Sequence, residues 1–243
     1  MHWSAPADKR SQSHYSRAVS VIGVDGPGSV GNVALLSREE FDAIEFDAAG
    51  SGDHRSAAEL MTRLAATDAQ TDDMPRAEAF MRVGEQWLLA DDPAAAASSF
   101  RMAMADGGLA SVDPRVPLAR ALFLLGQRAD AYALIATLKA EGRTDPRACD
   151  LIAELLSEYA DLQGALEWAT AGVELCLQYA NRPEAPAAGA AAPPPPRQPA
   201  VMPAPQQRSD DEAELRLLLS LRYRIRNDLG LPEDSYDEML DEA

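Results

Sequence analysis

Lysine is nearly absent from this 243-residue sequence: Lys9 and Lys139 are the only two, so almost all of the positive charge is arginine. Histidine is scarce as well. His2, His14 and His54 lie in the first quarter of the chain, and none is spaced for a metal or for a catalytic triad. The two cysteines, Cys149 and Cys176, form no Cys-x-x-Cys pair, no zinc spacing and no disulfide framework. Reduced, structural thiols in a cytoplasmic protein are the expectation. No apolar run approaches the roughly 18 residues that a membrane span requires. The opening Met1-His2-Trp3-Ser4, followed by Asp8-Lys9-Arg10, lacks the apolar core of a secretion signal.

Acidic side chains are plentiful, 39 against 22 basic ones, for a net charge of -17. That sign repels a phosphate backbone, so nucleic acid is not an expected partner. Alanine is abundant, and with arginine it gives the composition of high-GC bacterial coding.

Four regions are expected. Residues 1–55 are poor in helical pattern, with a possible small β-hairpin at 18–36. Residues 56–181 carry helical periodicity. Residues 182–209, including Pro193-Pro194-Pro195-Pro196, are too rich in proline and alanine to bury a core and read as an extended linker. Residues 210–243 hold a helix and an acidic tail.

Within the second region the chain repeats itself. One unit contains Phe80-x-x-Val83-Gly84-x-x-Trp87, a turn at Asp91-Asp92, then Ala96-x-x-x-Phe100-x-x-Ala103. A period of 3.6 puts residues 80, 83, 84 and 87 on one helix face. Gly84 and Ala96 are the small residues expected to let two helices approach. A second unit has Leu118-Ala119-x-x-Leu122, a turn at Gly126-Gln127, and Ala131-x-x-x-Ile135-x-x-Leu138. A third has Ile152-Ala153-x-x-Leu156, a turn at Ala160-Asp161, and Ala165-x-x-x-Ala169-x-x-Gly172. The second-helix alanines at 96, 131 and 165 are 35 and 34 residues apart. Asp92-Pro93, Asp113-Pro114 and Asp145-Pro146 each offer an N-cap followed by a first-turn proline.

This spacing resembles the tetratricopeptide repeat (TPR), a helical hairpin of 34 residues. The resemblance covers less than half the chain, and its second and third units lack the aromatic positions. It implies an all-α fold: about three stacked hairpins with a C-terminal capping helix. The segment Leu221–Pro232 is similar to the end of uncharacterised bacterial TPR proteins. Some of that group carry an N-terminal zinc motif of the SEC-C type, but no cysteine precedes Cys149 here.

Ser56-Ala57-Ala58-Glu59 has the form of a capping box for a helix near 57–66. Apolar residues at 215, 218, 219, 221 and 225 make a helical stripe ringed by Arg216, Arg222, Arg224 and Arg226, with Gly230 and Pro232 ending it. A repeat array needs such a terminal cover. The acidic residues beyond it (Glu233, Asp234, Asp237, Glu238, Asp241, Glu242) show no compensating base and read as a solvated end, although Tyr236, Met239 and Leu240 could dock one face.

The one sequence with the form of a cofactor site is Gly26-Pro27-Gly28-Ser29-Val30-Gly31, a literal G-x-G-x-x-G with Asp47 further on. A dinucleotide site needs a strand feeding the first glycine and a helix opening at the third. Here Gly23-Val24-Asp25 intervenes, and Ser37-x-x-Glu40 starts the next helix six residues late. A glycine-rich turn is the simpler account; no cofactor is expected and no catalytic or metal residues are assigned. A nucleotide-dependent enzyme or regulator using residues 26–31 stays open as the alternative.

The TPR resemblance implies a groove lined by first helices. Mapped residue by residue, it holds Glu78, Met81, Glu85, Leu88 and Leu89 in the first unit; Asp113, Val116, Arg120, Phe123 and Leu124 in the second; and Arg147, Asp150, Glu154, Ser157 and Glu158 in the third. The basic clamp of chaperone-binding members is missing. The expectation is a non-enzymatic scaffold or adaptor binding a protein or peptide with apolar and basic residues, matched in charge to Glu85, Glu154 and Glu158. The helix at 211–229 could itself fill the groove. Self-association through the linker and terminal helix is a further option.

Overall fold

The computed structural model describes residues 37–66, 74–142, 144–181 and 205–242. The proposed hairpin at 18–36, the glycine segment 26–31 and residues 182–204 of the expected linker lie outside the described residues.

The described chain is all-α, with no strand. Its helices are α1 (Arg38–Ser51), α2 (His54–Ala65), α3 (Arg76–Leu89), α4 (Pro93–Asp106), α5 (Arg115–Leu124), α6 (Arg128–Glu141), α7 (Pro146–Glu158), α8 (Leu162–Ala180), α9 (Pro205–Asp228) and α10 (Ser235–Glu242). They fall into two compact units, with the boundary between Tyr132 and Ala133 inside α6.

The hairpin turns are one structure built three times. In each, a residue with left-handed backbone follows the first helix: Asp91 (φ 56°), Gly126 (φ 74°) and Ala160 (φ 62°). The spacing of these residues, 35 and then 34, is that of the second-helix alanines. The same pair of hydrogen bonds closes each turn. The left-handed residue donates to the third carbonyl back (Leu88, Phe123, Ser157), and the next residue donates to the fifth back (Trp87, Leu122, Leu156). This closure satisfies carbonyls that the helix end leaves open. Only glycine adopts a left-handed backbone freely, so the geometry at Asp91 and Ala160 is imposed by the hairpin around it.

Gly230 (φ 67°) ends α9 in the same way, donating to Asn227 while Leu231 donates to Arg226. The expected single capping helix is therefore the first half of a fourth hairpin, α9–α10, whose second helix is short. The connection to its second helix is longer, because Pro232 delays the start of α10 to Ser235.

Helix starts agree in part with the sequence pattern. Asp92 and Asp145 cap α4 and α7 through the backbone N–H of Ala95 and Ala148, each with proline in the first turn. Asp161 caps α8 through Gly164. Asp113 is different: its carboxylate takes the N–H and guanidinium of Arg115, and α5 begins only after Pro114. The capping box expected at Ser56 is not the helix start. Asp53 caps α2 by accepting from the Ser56 N–H, so the helix begins at His54. Helical order also begins well before residue 56, because Ser37 and Glu40 form a reciprocal capping box at the head of α1. At the other end α9 starts at Pro205, inside the stretch assigned to the linker.

In the first unit α3 packs on α4, α2 on α3, α4 on α5, and α1 on α2. Gly84 admits the Phe100 ring; a methyl group placed there would overlap it. The close approach thus brings a glycine against an aromatic ring, where the sequence suggested glycine against Ala96. Ala96, Ala131 and Ala165 are nonetheless all fully buried. In the second unit α7 pairs with α8, and α9 lies against both. Gly172 is the contact point: a Cβ there would stand 2.7 Å from Leu218 and 2.9 Å from the Cβ of Cys149.

Candidate functional site

The groove residues separate by depth once the helices are in place. Met81, Val116 and Phe123 are buried and belong to the interior, contrary to their expected place on a ligand-binding surface. Phe80, Met81, Arg82 and Val83 are all buried, so α3 is covered on every side at this turn, and Phe123 is buried with its neighbour Leu122. Leu88, Arg120 and Asp150 are half-buried, while Glu85, Glu154 and Glu158 are exposed. Of the apolar residues expected in the groove of the first unit, Leu89 (60% exposed) and Leu124 (55% exposed) do face solvent; elsewhere on this unit Phe46 and Leu109 are also exposed. Leu89 and Leu124 stand two residues before a left-handed turn residue, so they occupy equivalent positions in consecutive hairpins. Tyr132 packs edge-on against Phe123, with ring centres 5.2 Å apart, and leaves part of its own ring exposed.

In the second unit the face formed by α7 and α9 is charged. Burial raises the Asp150 carboxyl to about 6, and Glu154 and Glu214 push it the same way, against Arg147 and Arg224. Glu214 is also raised, again mainly by burial, and its Oε1 is sealed from solvent with no hydrogen-bond partner.

Two arginine clusters escaped the sequence pattern. Arg82 on α3 is nearly buried, reaching Asp42 and Glu45 of α1 at 2.5 Å each and covering the Phe41 ring at 5.5 Å. Burial opposes its charge, but the hydrogen bonds from Arg82 to Glu45 and Asp42 outweigh that and raise its pKa. The spacing Asp42-x-x-Glu45 places both carboxylates on one helix face and was the available signal.

The second cluster corrects the view of the acidic tail as lacking a base. Arg222 pairs with Asp234 (2.5 Å) and Asp237 (3.1 Å), and Arg226 pairs with the same two carboxylates (2.9 and 3.0 Å). Arg222 also donates to the Thr170 hydroxyl and lies over the Tyr236 ring at 4.7 Å. The side chains of Arg222 and Asp237 are only 5% and 4% exposed. Hydrogen bonds from Arg222 hold the Asp234 carboxyl down at about 2. Tyr236, Met239 and Leu240 do dock, against Val173, Cys176, Leu218 and Leu219.

Other candidate groups have structural surroundings. His54 is half-buried and its Nδ1 meets Gln86 Oε1 at 3.0 Å, which ties α2 to α3. Burial lifts the Cys149 thiol to about 11, so it is protonated at neutral pH. Among the described residues no group of histidine, cysteine and carboxylate side chains is arranged to hold a metal ion, and no helix is long and apolar enough to cross a membrane. No family model, no curated protein and no solved structure matches this chain.

Proposed function

We propose that the chain is a non-catalytic scaffold of TPR-like hairpins that binds a peptide segment across the first helices of its first unit. The supporting observation is the repeated turn. Because Asp91 and Gly126 close α3 and α5 identically, Leu89 and Leu124 recur at one register and both face solvent. A helix array that repeats an exposed leucine at a fixed step offers apolar anchors to an extended or helical ligand. Glu85, one turn earlier on α3, is exposed and favours a basic residue beside the anchors.

Crosslinking capture from the native cell tests this, comparing the full chain with a Leu89→Asp/Leu124→Asp variant. A specific protein retained by the first and lost by the second is the expected result. Identical sets of captured proteins would sink the proposal, provided circular dichroism shows the variant folded.

A further inference from the structure

We infer that the C-terminal hairpin α9–α10 is a releasable cap on the α7–α8 hairpin, docked most firmly in mildly acid solution and loosened towards neutrality. The inference concerns the second unit alone and is independent of what the first unit binds.

Three structural features carry it. The hairpin is self-contained: Arg222 and Arg226 of α9 are neutralised by Asp234 and Asp237, which lie just before and within α10. It can leave as one piece with these arginine–aspartate pairs intact. Its attachment to the rest of the unit is mainly of a different kind, an apolar seam in which Leu218 enters the notch at Gly172 and Leu219 joins Val173 and Cys176, with hydrogen bonds from Arg222 to Thr170 and from Tyr236 to Glu174 of α8 beside it. Beside that seam, where α9 passes α7, like charges are crowded. Asp150 and Glu154 of α7 lie near Glu214 of α9, whose Oε1 is buried without a hydrogen bond.

The charges facing Asp150 decide the direction. Arg147 on α7 and Arg224 on α9 oppose the carboxylates without cancelling them. Asp145, before α7, adds a further negative charge near Glu214. The two carboxylates of α8 are turned to other partners: Glu167 pairs with Lys139 at 2.5 Å, and Glu174 accepts from the Tyr236 hydroxyl at 3.5 Å. Asp150 in the docked state titrates near 6, above its ordinary value of 3.8. A group raised on docking stabilises the docked state when protonated, and that contribution is lost as the pH rises from about 4 through about 6. Asp234 has the opposite dependence, but it titrates near 2 and stays ionised across this window, so the internal latch holds throughout.

Release would bare the Gly172 notch with Val173 and Cys176, a surface shaped for a helix carrying an adjacent pair of leucines. Hydrogen exchange of the full chain, read by mass spectrometry at about pH 5 and about pH 7.5 and corrected for intrinsic rates, tests this. Relative to α7–α8, exchange in α9–α10 is expected to rise about threefold at the higher pH, because α9 supplies only part of what raises Asp150 and the site is partly solvated. Asp150→Asn should flatten the difference, and Glu158→Gln, an equal charge change on the same helix, should keep it. If Asp150→Asn fails to fold, Glu214→Gln takes its place and should narrow the difference. Equal exchange of the two hairpins at both pH values would overturn the inference, as would a pH difference indifferent to the folded Asp150 or Glu214 variant.

Discussion

Asp91 and Ala160 hold a left-handed backbone that glycine adopts at no steric cost, and at the equivalent position Gly126 does so. Replacing either by glycine should therefore stabilise the chain, by about 0.5–1 kcal/mol after the added freedom of the unfolded state is subtracted. The reverse change, Gly126→Ala, should destabilise it by about 1 kcal/mol. Urea denaturation of the three variants checks both signs, and a loss of stability in Ala160→Gly would contradict the account of the turn. Gly84 is constrained differently, by the Phe100 ring over it. Gly84→Ala is expected to cost about 1–3 kcal/mol through overpacking, read in the same experiment. At this scale the sequence was informative where a residue type has one strong physical use, as with Gly126 at a turn or Asp145 at a cap. At Ala160 the spacing placed the turn but gave no sign of the left-handed backbone, which its neighbours dictate.

Among helices, the two arginine clasps do work that apolar contacts do elsewhere. Arg82 joins α1 to α3, and its removal strands Asp42 and Glu45; because Asp42 is largely solvated, it loses little by that. Arg82→Ala should cost about 1–3 kcal/mol, with protection lost first in α1 when amide exchange is followed. The clasp around Arg222 is drier. Asp237→Asn removes one of its two counter-charges and should cost about 3 kcal/mol, seen as a lower denaturation midpoint and early exchange of α10. Acid should undo the same clasp: Asp234 titrates near 2 in the folded chain, so its contribution is complete above about pH 4 and disappears as the pH falls towards 2. The repeated hairpins were legible because small and large residues recur at a fixed step. The clasps were not, since Arg222 and Asp234 are separated by a turn whose course only the folded backbone reveals. The depth of the groove residues was misjudged at Met81, Val116 and Phe123 for a related reason: how far neighbouring helices cover each turn is set by tertiary packing, which spacing along one helix does not reveal.

For the molecule as a whole, a net charge of -17 means that self-repulsion opposes folding. Raising ionic strength from about 0.02 M to about 0.3 M shortens the screening length from about 20 Å to about 6 Å. Calorimetry over that range should show a melting temperature higher by a few degrees, while the sheltered Arg222 clasp persists. The fourth hairpin has one more consequence, for how the chain finds its fold. At the places where Arg222 and Arg226 sit, eight and four residues before the left-handed turn, the other first helices carry Val83 and Trp87, Leu118 and Leu122, Ile152 and Leu156. Helix α10 laid on any of those would sink Asp237 against hydrocarbon with no cation to meet it. Helices α4 and α8, brought to α9, would leave two guanidinium groups stranded. In a chain of hairpins closed by the same turn, where exchanging one hairpin's second helix for another's is the obvious error, a charged joint favours the correct final pairing.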